Sequence, residues 1–279
     1  MRLRFLDTGP GKGAFNMGLD EALLEAVAAG RSEPVLRLYT WDPAAITIGY
    51  FQSAAAEVDL EAAREAGVDV LRRVTGGGAV FHASEITYSL VVPEGHALAP
   101  ADILESYSRI CGGLVEGLSL LGVEASFAPI NDIVAGGKKI SGNAQTRKRG
   151  CLLQHGTVLL DVDPERMFSL LKVPSEKLKG KLIQDVKARV SGLKGLLGRE
   201  VGYAEAASAL GLGFARAFGR LEAGAGGPGR AAGTGAQFPE PVAALPAELL
   251  PSVPSPEELE RARLLAAEKY STSLWTMRR

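Results

Sequence analysis

Three consecutive glycines at residues 76–78 lie between two segments that each have the composition of a strand, residues 68–73 and residues 86–92. A strand directly after the glycines excludes a dinucleotide-binding turn, in which a long helix follows. The missing Lys-Ser or Lys-Thr pair excludes a P-loop. Glycines still allow backbone amides to approach a phosphate or an adenine closely, although a glycine-rich hairpin explains the same residues.

The remaining apolar pattern mixes strands and helices without a strict β-α alternation. The longest helix is predicted over residues 102–121, where apolar side chains recur at helical spacing. Asn16 is predicted to cap an earlier helix that ends near residue 27. This arrangement predicts an α+β fold with a mixed, largely antiparallel sheet flanked by helices.

Composition limits the class of partner. The chain has 279 residues and a net charge of -1, with 46% hydrophobic and 23% charged residues. A balance so close to neutral gives no global field that would attract nucleic acid or an anionic membrane. No apolar run approaches the roughly 20 residues of a membrane span, and the first residues lack the pattern of a signal peptide. We therefore expect a cytoplasmic protein that binds neither nucleic acid nor membrane.

A change of composition suggests three regions. Residues 1–221 are expected to form the domain that carries the site. Residues 222–254 are rich in Gly, Ala and Pro and are predicted to be a linker or loop, flexible over residues 223–237. Ser255 and Glu258 have the spacing of a capping box, so residues 255–279 are expected to form a helix and tail that pack on the first domain.

A second polar stretch surrounds Lys138 and Lys139. Consecutive strand residues face opposite ways, so one lysine is expected to point to solvent and the other to a packed wall. The small residues that follow suit such a wall. Asn131 and Asp132 stand on the preceding strand, where they can hold a metal ion or orient the lysine. Arg72 and Arg73 end a strand, so at most one of them is expected to reach the site.

Histidine and cysteine residues offer further chemistry, and for each of them a structural role competes with a catalytic one. His82 and His155 are each more often structural than general bases in such a setting. Cys111 lies in the apolar stripe of the long helix and is expected in the core. Cys151 is a candidate thioester nucleophile, but a small buried hydrophobe is favoured, because no His–Asp arrangement around it is evident.

Taken together, the two stretches resemble the signature of the lipoate–protein ligase A family. The matching segments are Arg72-Arg-Val-Thr-Gly-Gly-Gly-Ala-Val-Phe-His82, Asn131-Asp-Ile, Gly137-Lys-Lys-Ile-Ser-Gly-Asn-Ala-Gln145 and His155-Gly-Thr157. Weaker matches extend over nearly the whole chain in the same order.

The resemblance implies the catalytic-domain fold of biotin and lipoate ligases, which octanoyltransferases share. It also implies a lipoate–protein ligase that uses ATP and Mg²⁺ to convert lipoate to lipoyl-adenylate. The lipoyl group would then pass to a lysine of a lipoyl domain of a 2-oxoacid dehydrogenase or of the glycine-cleavage H protein. No large accessory domain follows the predicted linker, so a separate small accessory ligase subunit is expected as a further partner.

The resemblance also assigns roles to residues. Lys139 is the expected catalytic residue, in contact with the lipoate carboxyl group and the bridging phosphate oxygen. Asp132 and Asn131 are expected to place Mg²⁺. The expected site for ATP and lipoyl-adenylate comprises Arg72, Arg73, Gly76, Gly77, Gly78, Ala79, Val80, Phe81, His82, Lys139, Gly142, Asn143, Ala144, His155, Gly156 and Thr157.

One feature departs from the ligase pattern, and another departs from the octanoyltransferase pattern. Residues 83–85 after His82 are Ala-Ser-Glu, where many ligases have Asp-x-Gly, and this resembles the octanoyltransferase branch. Those transferases act through a cysteine thioester, with the nucleophile just before the lysine loop or well after the His-Gly strand. This sequence has no cysteine at either place.

Three functions therefore remain open, and the ligase is the one we expect. The first alternative is a cysteine-dependent octanoyltransferase that takes its acyl group from acyl carrier protein, with Cys151 as the candidate nucleophile. The second alternative is a non-catalytic module that binds lipoyl domains.

Overall fold

Two sheets form the framework of the computed structural model, which describes residues 2–172, 176–222 and 248–278. The strands in chain order are β1 (Arg2–Gly11), β2 (Val35–Trp41), β3 (Ala45–Ile48), β4 (Asp69–Arg72), β5 (Val80–His82), β6 (Glu85–Pro93), β7 (Ala125–Ala128), β8 (Asp132–Ala135), β9 (Lys138–Lys148), β10 (Cys151–Leu159) and β11 (Glu248–Ser252). The large sheet has the order β11-β1-β2-β6-β10-β9-β8-β7, and the small sheet has the order β4-β3-β5.

Helices flank both sheets. They are α1 (Gly13–Ala28), α2 (Ala54–Glu57), α3 (Leu60–Glu65), α4 (Ile103–Leu120), α5 (Pro164–Leu170), α6 (Glu176–Arg189), α7 (Leu193–Leu197), α8 (Tyr203–Glu222), α9 (Pro256–Leu265) and α10 (Ser273–Thr276), with a π-helical segment at Ala266–Tyr270. None of the helices in the described ranges has the length and apolar character that crossing a membrane requires.

The predicted fold class is confirmed. Within the large sheet, β1 pairs in parallel with β2 and β11, while the pairings from β2 to β7 are antiparallel. Side chains alternate across this sheet, so one strand supplies two cores. Leu36 and Leu38 of β2 pack in the core with α4 and α8, whereas Val35 and Tyr39 pack in the core with α1 and α9.

Local sequence signals predicted the long helix but misplaced the start of the first one. Asp102 caps α4 by accepting a hydrogen bond from the backbone nitrogen of Glu105. The predicted cap at Asn16 is wrong, because α1 begins at Gly13 and Asn16 lies inside it. The Asn16 amide instead donates to the carbonyl oxygens of Gly11 and Thr40, at 3.0 Å each. It therefore joins the helix to β1 and β2.

The structure also changes the boundary of the predicted linker. Glu248–Ser252, inside residues 222–254, forms β11 and pairs in parallel with β1. Leu249 of this edge strand packs against the core that α4 and α8 cover. The flexible segment predicted at residues 223–237 lies outside the described residues. After β11, the capping box at Ser255 is present and opens α9, which packs against α1.

Helices α4 and α8 approach each other through glycines. A Cβ atom on Gly213 would lie 2.2 Å from the backbone nitrogen of Gly117, and one on Gly113 would lie 2.1 Å from the ring of Phe214. Both distances are shorter than any van der Waals contact. The two helices therefore pack at this distance only because glycine stands at these positions.

We expect Gly213→Ala to lower the free energy of unfolding by about 1–3 kcal/mol, because the added methyl group overpacks a backbone contact. Gly112→Ala is the matched control, since a Cβ atom there meets nothing within 4 Å. It should raise the same quantity by about 0.5–1 kcal/mol through its helix propensity. Urea unfolding measures both, and equal effects of the two substitutions would contradict this account of the packing.

Candidate functional site

A cavity of about 450 Å³ lies where the small sheet meets the middle of the large one. Fifteen of the residues that we predicted for the site line it: Arg73, Gly77, Gly78, Ala79, Val80, Phe81, His82, Asn131, Lys139, Gly142, Asn143, Ala144, His155, Gly156 and Thr157. Arg72, Gly76, Asp132 and Cys151 do not line it. The two polar stretches of the sequence therefore meet in one cavity.

The sequence did not single out the rest of the cavity wall. It consists of Met17, Tyr39, Trp41, Thr47, Ala83, Ser84, Glu85, Thr87, Leu159, Asp161, Val162, Asp163, Arg166, Met167, Val186 and Val190. These residues come from segments that only the fold brings together. Among them, only residues 83–85 had a recognisable pattern in the sequence, because Ala-Ser-Glu differs from the Asp-x-Gly of many ligases.

Arg73 holds the glycine loop in place. Its guanidinium donates to the carbonyl oxygens of Gly76, Gly78 and Thr47, and also to the Thr47 hydroxyl. Burial lowers the pKa of Arg73 to about 10, so the group remains charged at neutral pH. Gly77 adopts a φ of 94°, which a residue with a side chain rarely reaches. The glycines are thus needed to wrap the loop around a buried cation.

Arg72 points to the other side of the strand and has a different task. It donates to the carbonyl oxygens of Trp275, Thr276 and Arg278 in the C-terminal tail. It also donates to the carbonyls of the loop after β3, at residues 49, 50 and 52. The tail is therefore tied to the loop that supports the glycines, and Arg72 stays outside the cavity.

Lys139 supplies an ammonium group at the cavity wall. It lies on β9, and its Nζ is 2.7 Å from Oδ1 of Asp132 on β8. The side chain remains 41% exposed, so the charge is accessible to a ligand. A Cβ atom on Gly142 would lie 3.1 Å from the Lys139 Nζ, so the glycine leaves room for the amine. Lys138 faces away and donates to the carbonyl oxygen of Lys187.

Asn143 lies on β9, the same strand as Lys139, and joins it to its neighbours. Its Oδ1 accepts from the hydroxyl of Tyr88, and its Nδ2 donates to the carbonyl oxygen of Asn131. A Cβ atom on Gly156 would lie 2.1 Å from the Asn143 Oδ1. Gly156 is therefore required for the buried amide to fit between β9 and β10.

Two buried histidines each connect a threonine to a carboxylate. The first is His82, whose Nε2 is 2.8 Å from the Thr47 hydroxyl and whose Nδ1 is 2.7 Å from Glu85 Oε1. The ring of Trp41 stacks on His82 at a centroid distance of 4.0 Å. All four of these side chains line the cavity. Among the described residues, Glu85 Oε2 finds no hydrogen-bond partner.

The second histidine is His155. Its Nε2 is 2.7 Å from the Thr75 hydroxyl, and its Nδ1 is 3.4 Å from Asp20 Oδ2. Burial lowers the pKa of His155 despite the nearby carboxylate. Burial alone would raise the pKa of Asp20, but the hydrogen bond from His155 and the charge of Arg37 lower it overall. Arg37 Nη1 lies 2.8 Å from Asp20 Oδ1, so a buried arginine carries the positive charge there.

The residues predicted for Mg²⁺ do not fit a metal site. Asp132 is engaged by Lys139, and the Asn131 amide donates to the carbonyl oxygen of Asn143. A hard cation needs several oxygen ligands around one point. Within the described ranges, no three His, Cys, Asp or Glu side chains come together to hold a metal ion.

Both cysteines lie outside the cavity wall. Cys111 is fully buried in α4, and burial raises the pKa of its thiol. Cys151 begins β10 and is 1% exposed, in the core that α1 covers. Burial, with a smaller contribution from Glu94, raises the pKa of this thiol as well.

The chemistry of the cavity is that of a site for an apolar chain with a polar head. Apolar side chains such as Met17, Phe81 and Val186 form much of the wall. Lys139 offers a charge that can stabilise negative charge on a carbonyl oxygen. The arrangement therefore suits an acyl group whose carbonyl lies near Lys139.

Known proteins match this chain along most of its length. A model of the lipoyl protein ligase A/B catalytic domain matches residues 12–215. Octanoyltransferase LipM from Kyrpidia tusciae is 43% identical over 244 residues, which are 79% of this chain and 89% of that protein. Octanoyltransferase LipM from Brevibacillus brevis is 34% identical, over 99% of each chain.

Solved structures share the fold. A bi-partite lipoate protein ligase from Thermoplasma acidophilum is 28% identical, with a TM-score of 0.81 over 99% of this chain and 96% of that one. A lipoate-protein ligase A bound with ATP is 27% identical, with a TM-score of 0.76 over 99% of each chain. The predicted fold of lipoate ligases is therefore confirmed.

The comparisons correct the predicted activity. The expectation of an ATP-dependent lipoate–protein ligase is wrong, because the relatives at 34% and 43% identity are named octanoyltransferases. The expected requirement for ATP and Mg²⁺ is wrong for the same reason. Ligases and octanoyltransferases share the motifs that we used, so these motifs did not separate the two activities. The Ala-Ser-Glu sequence at residues 83–85 was the feature that resembled the octanoyltransferases.

Stability should fall as the pH is lowered below the unfolded pKa of histidine, about 6.5. His155 has a lowered pKa in the folded protein, so the unfolded chain takes up the extra proton first. Its contribution is present above the unfolded pKa and is lost as the pH falls. In thermal unfolding from pH 7 to 5, His155→Gln should show a smaller decline, because an amide keeps hydrogen bonds without titrating. An equal decline in both proteins would show that His155 is not responsible.

Proposed function

Because the chain belongs to the lipoyl protein ligase A/B catalytic-domain family, we propose that it transfers an octanoyl group from acyl carrier protein to a lysine of a lipoyl-accepting protein. It is an enzyme of the ligase and transferase family, so we drop the alternative of a non-catalytic module that only binds lipoyl domains. The observation that carries the proposal is the apolar cavity with the Lys139 ammonium in its wall. The octanoyltransferase relatives support the same activity.

The cavity supports an acyl substrate by size and by lining. Its volume of about 450 Å³ lies within the range of small-molecule sites. The apolar lining at Met17, Phe81, Met167 and Val186 stabilises a hydrocarbon chain, since every buried methylene group contributes about 0.8 kcal/mol.

Lys139 would act on the carbonyl oxygen. When an amine attacks a thioester, negative charge develops on this oxygen, and a fixed cation beside it lowers the barrier. The ion pair with Asp132 at 2.7 Å fixes the direction of the ammonium group. Asp132 is therefore assigned to positioning Lys139, rather than to a metal ion.

The acceptor would be a lipoyl domain of a 2-oxoacid dehydrogenase or the glycine-cleavage H protein. Both present a lysine on a folded domain, and the partial exposure of the Lys139 side chain supports access from the surface. A small accessory subunit was expected only for adenylation. The transfer proposed here includes no adenylation, so this partner stays a prediction without a role in it.

The first test is octanoyl transfer from octanoyl-acyl carrier protein to apo H protein, followed by mass spectrometry, in EDTA and without nucleotide. We expect full activity under these conditions and no increase on adding MgATP. A thioester already carries the activation that ATP would supply. Transfer that requires MgATP would overturn the proposal.

Lys139→Ala should reduce kcat/KM for this transfer by about 10²–10³, the usual loss of one oxyanion donor. The matched control is Lys138→Ala, which removes the same charge from the neighbouring residue, outside the cavity. The control should keep nearly unchanged activity. Similar losses in both variants would indicate a general effect of charge on β9 and would exclude a specific role for Lys139.

A further inference from the structure

We propose that a surface beside the C-terminal tail binds the donor protein, and that the donor presents carboxylates around an apolar patch there. The inference rests on the proposed function, because it adds the place at which the acyl carrier protein would dock. The residues of this surface are not part of the cavity wall. We call it the tail surface, and it consists of Tyr50, Phe51, Lys148, Leu274, Trp275, Met277 and Arg278.

The apolar part of the tail surface is open to solvent. Phe51 is 90% exposed, Leu274 is 86% exposed and Met277 is 45% exposed. The Phe51 ring stands edge-on against Tyr50 at a centroid distance of 5.0 Å, and the Tyr50 ring lies 6.1 Å from that of Trp275. The loop after β3 and the tail therefore form one continuous patch. Exposed apolar patches of this kind mark sites where proteins bind other molecules.

Two cations lie against the aromatic rings of this patch. Lys148 Nζ lies 4.5 Å from the centre of the Tyr50 ring, and the Arg278 guanidinium lies 3.9 Å from it. The same guanidinium lies 4.2 Å from the centre of the Trp275 ring. A hydrogen bond from Arg278, and then the charges of Arg278 and Lys148, lower the pKa of Tyr50. The patch is therefore apolar at its centre and positively charged around it.

The charge of these two cations remains available to a partner. Lys269 lies 4.1 Å from the Trp275 ring centre, but its Nζ is 2.7 Å from Oε2 of Glu21 and is neutralised there. In the described ranges, Lys148 and Arg278 form no ion pair with a carboxylate. A partner that places its own carboxylates opposite them gains complementary charge at the rim of the interface.

Hydrogen bonds from beneath hold the tail surface in one arrangement. Arg72 donates to the carbonyl oxygens of Tyr50 and Trp275, and so joins the loop after β3 to the tail. The Trp275 indole donates in turn to the carbonyl oxygen of Arg72 at 2.8 Å. A preformed surface of this kind loses little conformational freedom when a partner binds, which favours affinity.

The tail surface adjoins the wall of the cavity. The backbone nitrogen of Tyr50 donates to the carbonyl oxygen of Thr75 at 2.8 Å. A Cβ atom on Gly49 would lie 2.0 Å from the carbonyl oxygen of Gly77, which lines the cavity. The loop that carries Tyr50 and Phe51 therefore packs directly on the glycine loop. A protein bound at the tail surface is thus a neighbour of the site.

The position of the tail surface favours the donor over the acceptor. Lys148 ends β9, whereas Lys139 lies near the start of the same strand. An acceptor must bring its own lysine to a carbonyl beside Lys139, so it has to bind near that end. A carrier protein holds its acyl group on a long flexible arm, which allows the protein itself to bind further away. The carrier can therefore stay on the tail surface while its acyl group enters the cavity.

A second copy of this chain fits the tail surface less well than an acidic carrier does. A symmetric dimer brings the same face of both subunits together. The cations Lys148 and Arg278 of one copy would then face the cations of the other copy. Like charges across an interface oppose association, so the charge of the tail surface selects against this arrangement.

Titration calorimetry with octanoyl-acyl carrier protein tests the proposal without depending on turnover. Lys148→Glu should raise the Kd about tenfold, because it replaces attraction by repulsion at the rim. Arg216→Glu is the matched control, since it makes the same change of charge at an exposed position of α8, across the large sheet. The control should leave the Kd nearly unchanged. An unchanged Kd in Lys148→Glu, or an equal rise in both variants, would overturn the docking surface.

The apolar centre has its own test in the same titration. Phe51→Ala removes an exposed ring and should also raise the Kd about tenfold. Val253→Ala, at a position that is 77% exposed outside the tail surface, should not change it. Neither Phe51→Ala nor Lys148→Glu should alter the Kd for apo H protein. Weaker binding of apo H protein would assign the surface to the acceptor, and a dimer that Lys148→Glu dissociates would assign it to a second copy. Either result overturns the proposal.

Transfer kinetics separate this inference from the proposed function. In Lys148→Glu and Phe51→Ala, KM for octanoyl-acyl carrier protein should rise while kcat stays within about twofold, as expected when only binding is lost. Transfer with an unchanged KM in both variants would overturn the docking surface alone. If the unsubstituted chain transfers no octanoyl group, the proposed function is overturned, and the calorimetric titration still decides whether the carrier binds at the tail surface.

Discussion

The cavity depends on a buried arginine, Arg73, that pairs with no carboxylate in the part of the chain that the structure describes. Arg73 is neutralised by the carbonyl dipoles of Gly76, Gly78 and Thr47, which converge on its guanidinium. Removing a charge from water is costly unless its hydrogen bonds are replaced, so the loop must keep these carbonyls turned inward. That requirement fixes the glycine loop against β3 and creates one wall of the cavity. The positive charge of Arg73 is used to hold the glycine loop. The cation that a ligand can reach is the ammonium group of Lys139.

Strand alternation divides two neighbouring arginines between two tasks. Arg73 binds the glycine loop, while Arg72 gathers the carbonyls of the C-terminal tail on the opposite face. The tail also donates a hydrogen bond to the strand, from the Trp275 indole to the carbonyl oxygen of Arg72 at 2.8 Å. The site and the chain end are therefore supported by adjacent residues of β4. Substitution of either arginine would therefore disturb the contacts on both faces of β4.

A shared fold does not determine whether an acyl group is activated as an adenylate or arrives as a thioester. Ligases and octanoyltransferases both match this chain over most of its length. The activity must be argued from the groups in the cavity. Here these are a paired ammonium, an apolar wall and two threonine–histidine–carboxylate relays, with both thiols buried elsewhere. This combination favours an acyl donor that brings its own activation.

Sequence reasoning found about half of the residues that line the cavity, because its two stretches are locally distinctive. The glycines after Arg73 and the small residues after Lys139 each indicate a tight backbone near a charge. Other cavity residues, such as Thr47 and Glu85, carry no such signal. Their neighbours along the chain are ordinary strand residues, and they contact His82 only after β3 and β5 pair. The cap predicted at Asn16 failed for a related reason, since hydrogen bonds to two strands outweigh a local preference.

By itself, the sequence determined the fold class, the long helix and the two stretches that meet at the cavity, because periodicity and glycine content act over a few residues. Tertiary structure alone decided which arginine lines the cavity, where β1 and β11 pair, and how far Cys151 lies from the site. Those outcomes depend on contacts between residues that are distant in the chain. Burial and hydrogen bonding at such contacts are properties of the assembled sheet, and no short segment encodes them.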